Sequence, residues 1–200
     1  RNPYSLPFWK VLGIGLPAAV STTIVQLLNP TYLGELGFSL RLSGFSTSLF
    51  GWGGAVGPFL WAAIACRKGG LVCSGWAFFL SFPFMFLYLV FVRHPAAHWL
   101  LFGAGFSAMS AYILTITLAR EAYGANLGLR MALIVGGTWG IAMLVFLALA
   151  AVADRGGTEP ILRLAPVGYL ISGLLTFWVL RQHPKSALVC STTSVLEPSA

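Results

Sequence analysis

The chain has 200 residues, with 12 Lys and Arg against 5 Asp and Glu, a net charge of +7, 58% apolar residues and 8% charged ones. Soluble domains carry about a quarter charged residues, so with a mean hydropathy of +0.84 this composition excludes an ordinary water-soluble domain. The basic residues are spread over many segments instead of forming one stripe, which excludes a nucleic-acid binder.

Between Lys10 and Arg181 the charges cluster so as to leave six apolar stretches: 11 to 34, 42 to 66, 69 to 92, 94 to 119, 131 to 153 and 164 to 180. About 20 residues, at about 1.5 Å rise each, cross the hydrocarbon core of a bilayer as a helix. The pattern therefore predicts an all-α integral membrane protein with six transmembrane helices, over 11–34, 43–66, 69–92, 96–119, 131–153 and 160–181. A cytoplasmic lead-in is expected over 1–10 and a disordered cytoplasmic tail, rich in Ser and Thr, over 184–200. The chain opens on Arg1 with no cleavable signal, as expected of a piece of a longer protein.

Helix 1 carries Ser21, Thr22, Thr23, Gln26 and Asn29. Thr22, Gln26 and Asn29 are spaced to share one face, and a polar stripe is costly against hydrocarbon. Helix 2 opens with Gly51, Gly53, Gly54 and Gly57, of which Gly53 and Gly57 make a G-x-x-x-G run that lets another helix approach closely. Trp52 is expected to pack inside the bundle. Helix 3, through Phe78, Phe79, Phe82, Phe84 and Phe86, is bulky and apolar, and with Ser81 is expected against lipid. Helix 4 holds Ser107 and Ser110 near mid-membrane, with Tyr112, Thr115 and Thr117 deeper. Helix 5 carries a second glycine run, Gly136 and Gly140, and Trp139 beside it. Helix 6 ends at Trp178, an interfacial anchor like Trp9 and Trp99.

Six crossings put both termini on one side. That side collects Arg1, Lys10, Arg67, Lys68, Arg120, Arg130, Arg181 and Lys185, and the other Arg41, Arg93, Arg155 and Arg163, so the positive-inside rule makes both termini cytoplasmic in a plasma (inner) membrane. The three cysteines, Cys66, Cys73 and Cys190, then face a reducing compartment and form no disulfide.

Helices 2 and 5 resemble each other: each opens on a glycine cluster, and they end in Ala65-Cys66-Arg67-Lys68-Gly69-Gly70 and Ala153-Asp154-Arg155-Gly156-Gly157. Three crossings reverse the chain direction, so the halves read as two inverted three-helix repeats, the plan of each half of a major facilitator transporter.

Three segments carry a resemblance to the C-terminal six-helix half of a major facilitator superfamily transporter, which covers essentially residues 8 to 183. The run from Asn29 to Ser39 resembles the end of that family's seventh helix, Ser48 to Gly70 its eighth helix and following loop, and 124 to 157 its eleventh helix. Drug-efflux members of the fosmidomycin-resistance type look nearest. In the family's Gly-x-x-x-Asp-Arg-x-Gly loop signature, Arg67 and Gly69 match, while Ala62, Cys66 and Gly70 depart at the glycine, aspartate and basic positions. The departures put the charge-relay role of that loop in doubt here.

The resemblance implies a secondary transporter of a small organic solute, working by alternating access in the efflux direction. Helices 1 and 4 would line a cavity, 2 and 5 flank it, and 3 and 6 face lipid. Thr22, Gln26, Asn29, Ser107, Ser110 and Trp139 are then the candidate substrate contacts, and Gly53, Gly57, Gly136 and Gly140 the candidate packing and gating positions. Partners would be the bilayer, the solute, and an N-terminal six-helix half or a second copy. No cofactor is expected, and no Asp, Glu, Lys or Arg lies within the six apolar stretches, so the coupling ion, a proton, would be bound outside this half.

A self-pairing half-transporter and a non-transporting membrane subunit stay open. An intramembrane serine protease needs a base after its nucleophile, but Ser107 is followed by no histidine until His183. His94 and His98 are separated by Pro95, with no third metal ligand, and are expected at the membrane surface.

Overall fold

The computed structural model describes residues 5–184. It is all helical apart from an isolated bridge, with no strand among the described residues. The elements are α1 (Phe8–Glu35), α2 (Leu40–Lys68), α3 (Gly70–Val90), a 3₁₀ turn (Pro95–Ala97), α4 (His98–Glu121), α5 (Leu127–Met131), a π-helical segment (Ala132–Gly137), α6 (Thr138–Gly156), α7 (Glu159–Leu162) and α8 (Ala165–Gln182). Six helical segments are long and apolar enough to cross a membrane: Phe8–Glu35, Leu40–Lys68, Gly70–Val90, Pro95–Glu121, Leu127–Ala153 and Glu159–Gln182. They are numbered here as spans 1 to 6, and they mark a multi-pass membrane protein.

Local chemistry sets several boundaries beyond the apolar stretches. Helix α1 begins at Phe8, so the end of the expected lead-in is helical. Ser39 caps α2 by accepting from the Leu42 amide, and Asn126 caps α5 by accepting from the Leu129 amide at 2.8 Å, four residues before the predicted start of that span. A single residue, Gly69, joins α2 to α3; its φ of +90° favours glycine. Span 6 is interrupted between α7 and α8, just before Pro166. The predicted tail from 185 to 200 lies outside the described residues.

Spans 1 and 4 form the centre and bury the largest share of their residues. Span 4 packs on spans 2 and 3, span 1 on spans 6 and 5, and spans 3 and 6 pack on each other. Spans 1 and 2, 1 and 4, 2 and 3, 4 and 5, and 5 and 6 also touch.

This order corrects the placement of span 3 against lipid. Phe78, Ser81, Met85 and Tyr88 of α3 are fully buried, while Trp76, Phe86 and Val90 are exposed, so α3 has a protein face and a lipid face. Aromatic content hid that asymmetry, because both faces are apolar. The outermost spans are 2 and 5.

At one end of the bundle, Phe8 N donates to Tyr123 O and Tyr123 N to Leu6 O, both at 2.9 Å. At that same end Lys10 Nζ donates to His183 Nε2 at 3.0 Å and to Gln182 Oε1, and lies over the Trp178 ring. At the opposite end Thr158 Oγ1 donates to Glu35 Oε2 at 2.6 Å, tying the connection between spans 1 and 2 to that between 5 and 6.

Candidate functional site

Helices α2 and α4 meet along a backbone seam. A Cβ at Gly53 would lie 2.1 Å from Phe102 O, one at Gly57 2.2 Å from Phe106 O, and one at Gly105 2.0 Å from Phe50 O. Ordinary contact is 3.4–4 Å, so these three positions admit only hydrogen. Sequence reasoning found Gly53 and Gly57; their counterpart Gly105 lay unremarked in the Gly103-x-Gly105 pair of α4. The proposed second seam is not packed: a Cβ at Gly136 or Gly140 would meet nothing within 4 Å, and both residues are exposed. A second close approach occurs elsewhere, where Gly168 of α8 abuts Ser21 and the Pro17 carbonyl of α1.

The polar stripe of α1 is divided among neighbours. Thr22 is buried, with its Oγ1 3.0 Å from the Tyr169 hydroxyl of α8. Asn29, 1% exposed, accepts the Tyr88 hydroxyl of α3 through Oδ1 at 2.6 Å. Both are thus held by spans 3 and 6 and not presented to an open cavity, which corrects their expected setting. A buried amide or hydroxyl without a partner is costly, and two tyrosines from neighbouring helices supply the partners. Gln26, between them, is partly buried and has no hydrogen-bond partner among the described residues, so it is the member of the stripe left to bind something else.

On α4, Ser110 donates to Phe106 O one turn back and is pressed against Gly57, leaving its hydroxyl committed. Ser107 is fully buried with its hydroxyl unpaired, as is Ser172 of α8. Trp139 is half-buried and meets the Tyr112 ring edge-on at 5.5 Å between centroids. Trp52, expected inside the bundle, is 70% exposed.

Several features had no sequence forecast. In the π-helical segment of span 5 the Ile134 carbonyl accepts the Tyr112 hydroxyl of α4 at 2.9 Å and the Thr138 hydroxyl on its own span. Arg130 Nη1 donates to the carbonyls of Ala119 and Arg120 at 3.2 and 3.1 Å, capping the C-terminus of α4. Arg67 lies exposed in the last turn of α2, and Gly69 is the residue that joins α2 to α3.

His98, assigned from the sequence to the membrane surface, is instead 2% exposed. Its Nδ1 lies 2.9 Å from Ser46 Oγ of α2, and its ring sits 5.8 Å from Phe38 and 6.0 Å from Tyr88. His94, four residues earlier, stays exposed and accepts the Ala96 amide in the 3₁₀ turn, so no two-histidine arrangement forms. The interior is thus lined by neutral polar groups paired between helices or back to their own helix, with the hydroxyls of Ser107 and Ser172 and the Nε2 of His98 buried and unpaired and Gln26 and Trp139 also uncommitted among the described residues. No family model, curated protein or solved structure matches the chain.

Proposed function

We propose that the chain is one six-helix half of a major facilitator type secondary transporter, working by alternating access to move a small organic solute outward across a plasma (inner) membrane, with both chain ends cytoplasmic. The observation that carries the reading is the packing order. Exchange span 1 with 4, 2 with 5 and 3 with 6, and every packing pair becomes another packing pair. The pair 2–4 becomes 5–1, 3–4 becomes 6–1, 1–2 becomes 4–5 and 2–3 becomes 5–6, while 3–6 and 1–4 map onto themselves. Since three crossings reverse direction, this is the order expected of inverted repeats around a midplane site.

A second support is the surface that the chain leaves uncovered. Spans 2 and 5, exchanged by the same operation, carry exposed small residues: Gly44, Ser48, Gly51 and Ala55 at α-helical spacing on one, and Ala132, Gly136 and Gly140 in and just after the π-helical segment on the other. Such faces suit close approach by further helices. The N-terminal half of the same protein, or a second copy, is the partner this reading assigns to them. Gln26 and Trp139 then contact the solute, and the neutral lining favours an amphipathic compound over a strongly charged one. The reading is of a carrier with no cofactor, not an enzyme.

Uptake into inverted vesicles carrying the full chain, with a panel of amphipathic solutes and an imposed pH gradient, tests it. Gln26→Ala lowers the initial rate several-fold at equal membrane content, whereas Ser81→Ala, buried and bonded back to Ala77, leaves it unchanged. Equal losses in the two variants would refute the cavity assignment, and no transported solute would refute the carrier.

A further inference from the structure

The apolar stretches between the charge clusters hold no Asp, Glu, Lys or Arg, yet the structure buries one titratable imidazole where spans 2, 3 and 4 meet the connection between spans 1 and 2. His98 begins α4, and its Nδ1 faces Ser46 in the second turn of α2. The Ser46 hydroxyl has one proton, and it points that proton at Leu42 O, 2.8 Å away. With that proton at Leu42 O, Ser46 Oγ accepts from the imidazole, an arrangement that puts the neutral ring's proton on Nδ1. The other nitrogen, Nε2, is then a bare lone pair, buried and without a partner.

The surroundings carry no charge to compensate a cation. From α3 the titratable neighbour is Tyr88, whose hydroxyl is committed to Asn29 of α1. The connection between spans 1 and 2 contributes the edge of Phe38. From α2 the contact is Ser46; Arg41, at the start of that helix, makes no ion pair or hydrogen bond with the ring, nor do Arg93 and His94 beside α4. Tyr32 and Glu35 of α1 lie toward the same end, with Glu35 accepting from Thr158. Span 5 meets α4 through Tyr112 and through Arg130, which is bonded to the carbonyls at the far end of that helix.

We propose that His98 is a proton-binding site inside this half: Nε2 takes up a proton entering from the end that bears the α3–α4 connection. No bond in the protein breaks; a water-borne acid loses the proton and the ring becomes a cation. An imidazolium sealed among apolar and neutral groups is strongly disfavoured, so its formation drives spans 1 and 3 at that end away from the α2–α4 pair until water reaches Nε2. Deprotonation lets the bundle close. This places the coupling ion within the chain and rests, for its role in coupling, on the carrier reading; protonation and opening do not depend on a solute.

The chain has three histidines, so His94→Gln with His183→Gln leaves His98 as the sole imidazole. Nitrogen-15 histidine spectra of that protein in lipid nanodiscs, titrated from about pH 8 to about pH 5, read the site directly. At the alkaline end Nδ1 carries the proton and Nε2 is bare; on acidification Nε2 becomes protonated. Over the same range, amide hydrogen exchange at the start of α2 and α4, corrected for its intrinsic pH dependence, rises about tenfold or more, and His98→Gln abolishes that rise. The wild-type protein, with its resonances assigned from single variants, gives the same answer if the double variant misfolds. An Nε2–H tautomer at pH 8, an imidazole that stays neutral throughout, or protonation with unchanged exchange would each overturn the site. A titrating, opening bundle that moves no solute would leave the site standing and remove the carrier; pH-driven transport that persists in His98→Gln would remove the site as the coupling group.

Discussion

Adding one methyl group to the α2–α4 seam should separate two helices. Gly53→Ala puts a Cβ 2.1 Å from Phe102 O, whereas ordinary contact begins at 3.4 Å. The difference, 3.4 − 2.1, is 1.3 Å, and the obstructing atom is backbone, so no rotamer change relieves it. A gap of about 1 Å forfeits a quarter to a half of each van der Waals contact it opens, and overpacking typically costs about 1–3 kcal/mol. Because two helices must part along several turns, the upper end of that range, about 3 kcal/mol, applies. At about 2–4 °C per kcal/mol for a chain of this size, the midpoint of thermal unfolding in detergent falls by about 6–12 °C. Gly51→Ala is the control: it lies two residues away on the same helix, and its Cβ meets nothing within 4 Å. Size-exclusion recovery after a temperature series measures both. Equal midpoints for Gly53→Ala and Gly51→Ala would refute the argument that backbone contact at this seam holds α2 on α4.

Further outcomes follow from the polar pairs. Asn29→Ala leaves the buried Tyr88 hydroxyl without its acceptor and costs about 1–3 kcal/mol; Tyr88→Phe added to it recovers part of the loss, and a thermal double-mutant cycle with no coupling would contradict the bond. Burial and the neighbouring Lys10 hold His183 below the usual histidine value of 6.5. The folded state therefore disfavours the protonated ring, so the stability this group contributes is fully present above pH 6.5 and is lost as the pH falls below that value through the depressed one. The Lys10–His183 clasp should accordingly loosen on acidification, read as faster exchange at the ends of α1 and α8, and Lys10→Met should abolish the effect. Arg130→Lys should lower the unfolding midpoint nearly as much as Arg130→Ala, because a single ammonium cannot bridge the Ala119 and Arg120 carbonyls while filling the guanidinium's place.

Hydropathy made the six spans legible, because the solvent demand on a transmembrane helix acts on every residue of it. The α2 glycines were legible for a related reason: a run of glycines costs helix stability unless something approaches closely, and Phe102 and Phe106 do. The equivalent reading of Gly136 and Gly140 failed because spacing defines a face only in a regular α-helix. Gly136 lies in the π-helical segment and Gly140 beyond it, so their register is not that of Gly53 and Gly57. Partners of buried hydroxyls were not legible at all. Nothing local in Thr22 or Asn29 says that Tyr169 and Tyr88, 147 and 59 residues away, complete their bonds. His98 was misplaced because its position next to a helix start resembles a surface site, while its burial depends on Ser46 and Phe38 from another hairpin.

The glycine seam also constrains how the molecule can deform. With main chain resting on main chain, α2 and α4 have no flexible side groups between them to absorb sliding, so the two must travel as a single stiff plank. Span 5 meets span 1 with no comparable lock, through Ile134 near Gly15, and carries an irregular turn of its own. Compliance is thus greater on the span 5 flank, where the irregular turn at Ala132–Gly137 can bend, while α2 and α4 keep their mutual packing.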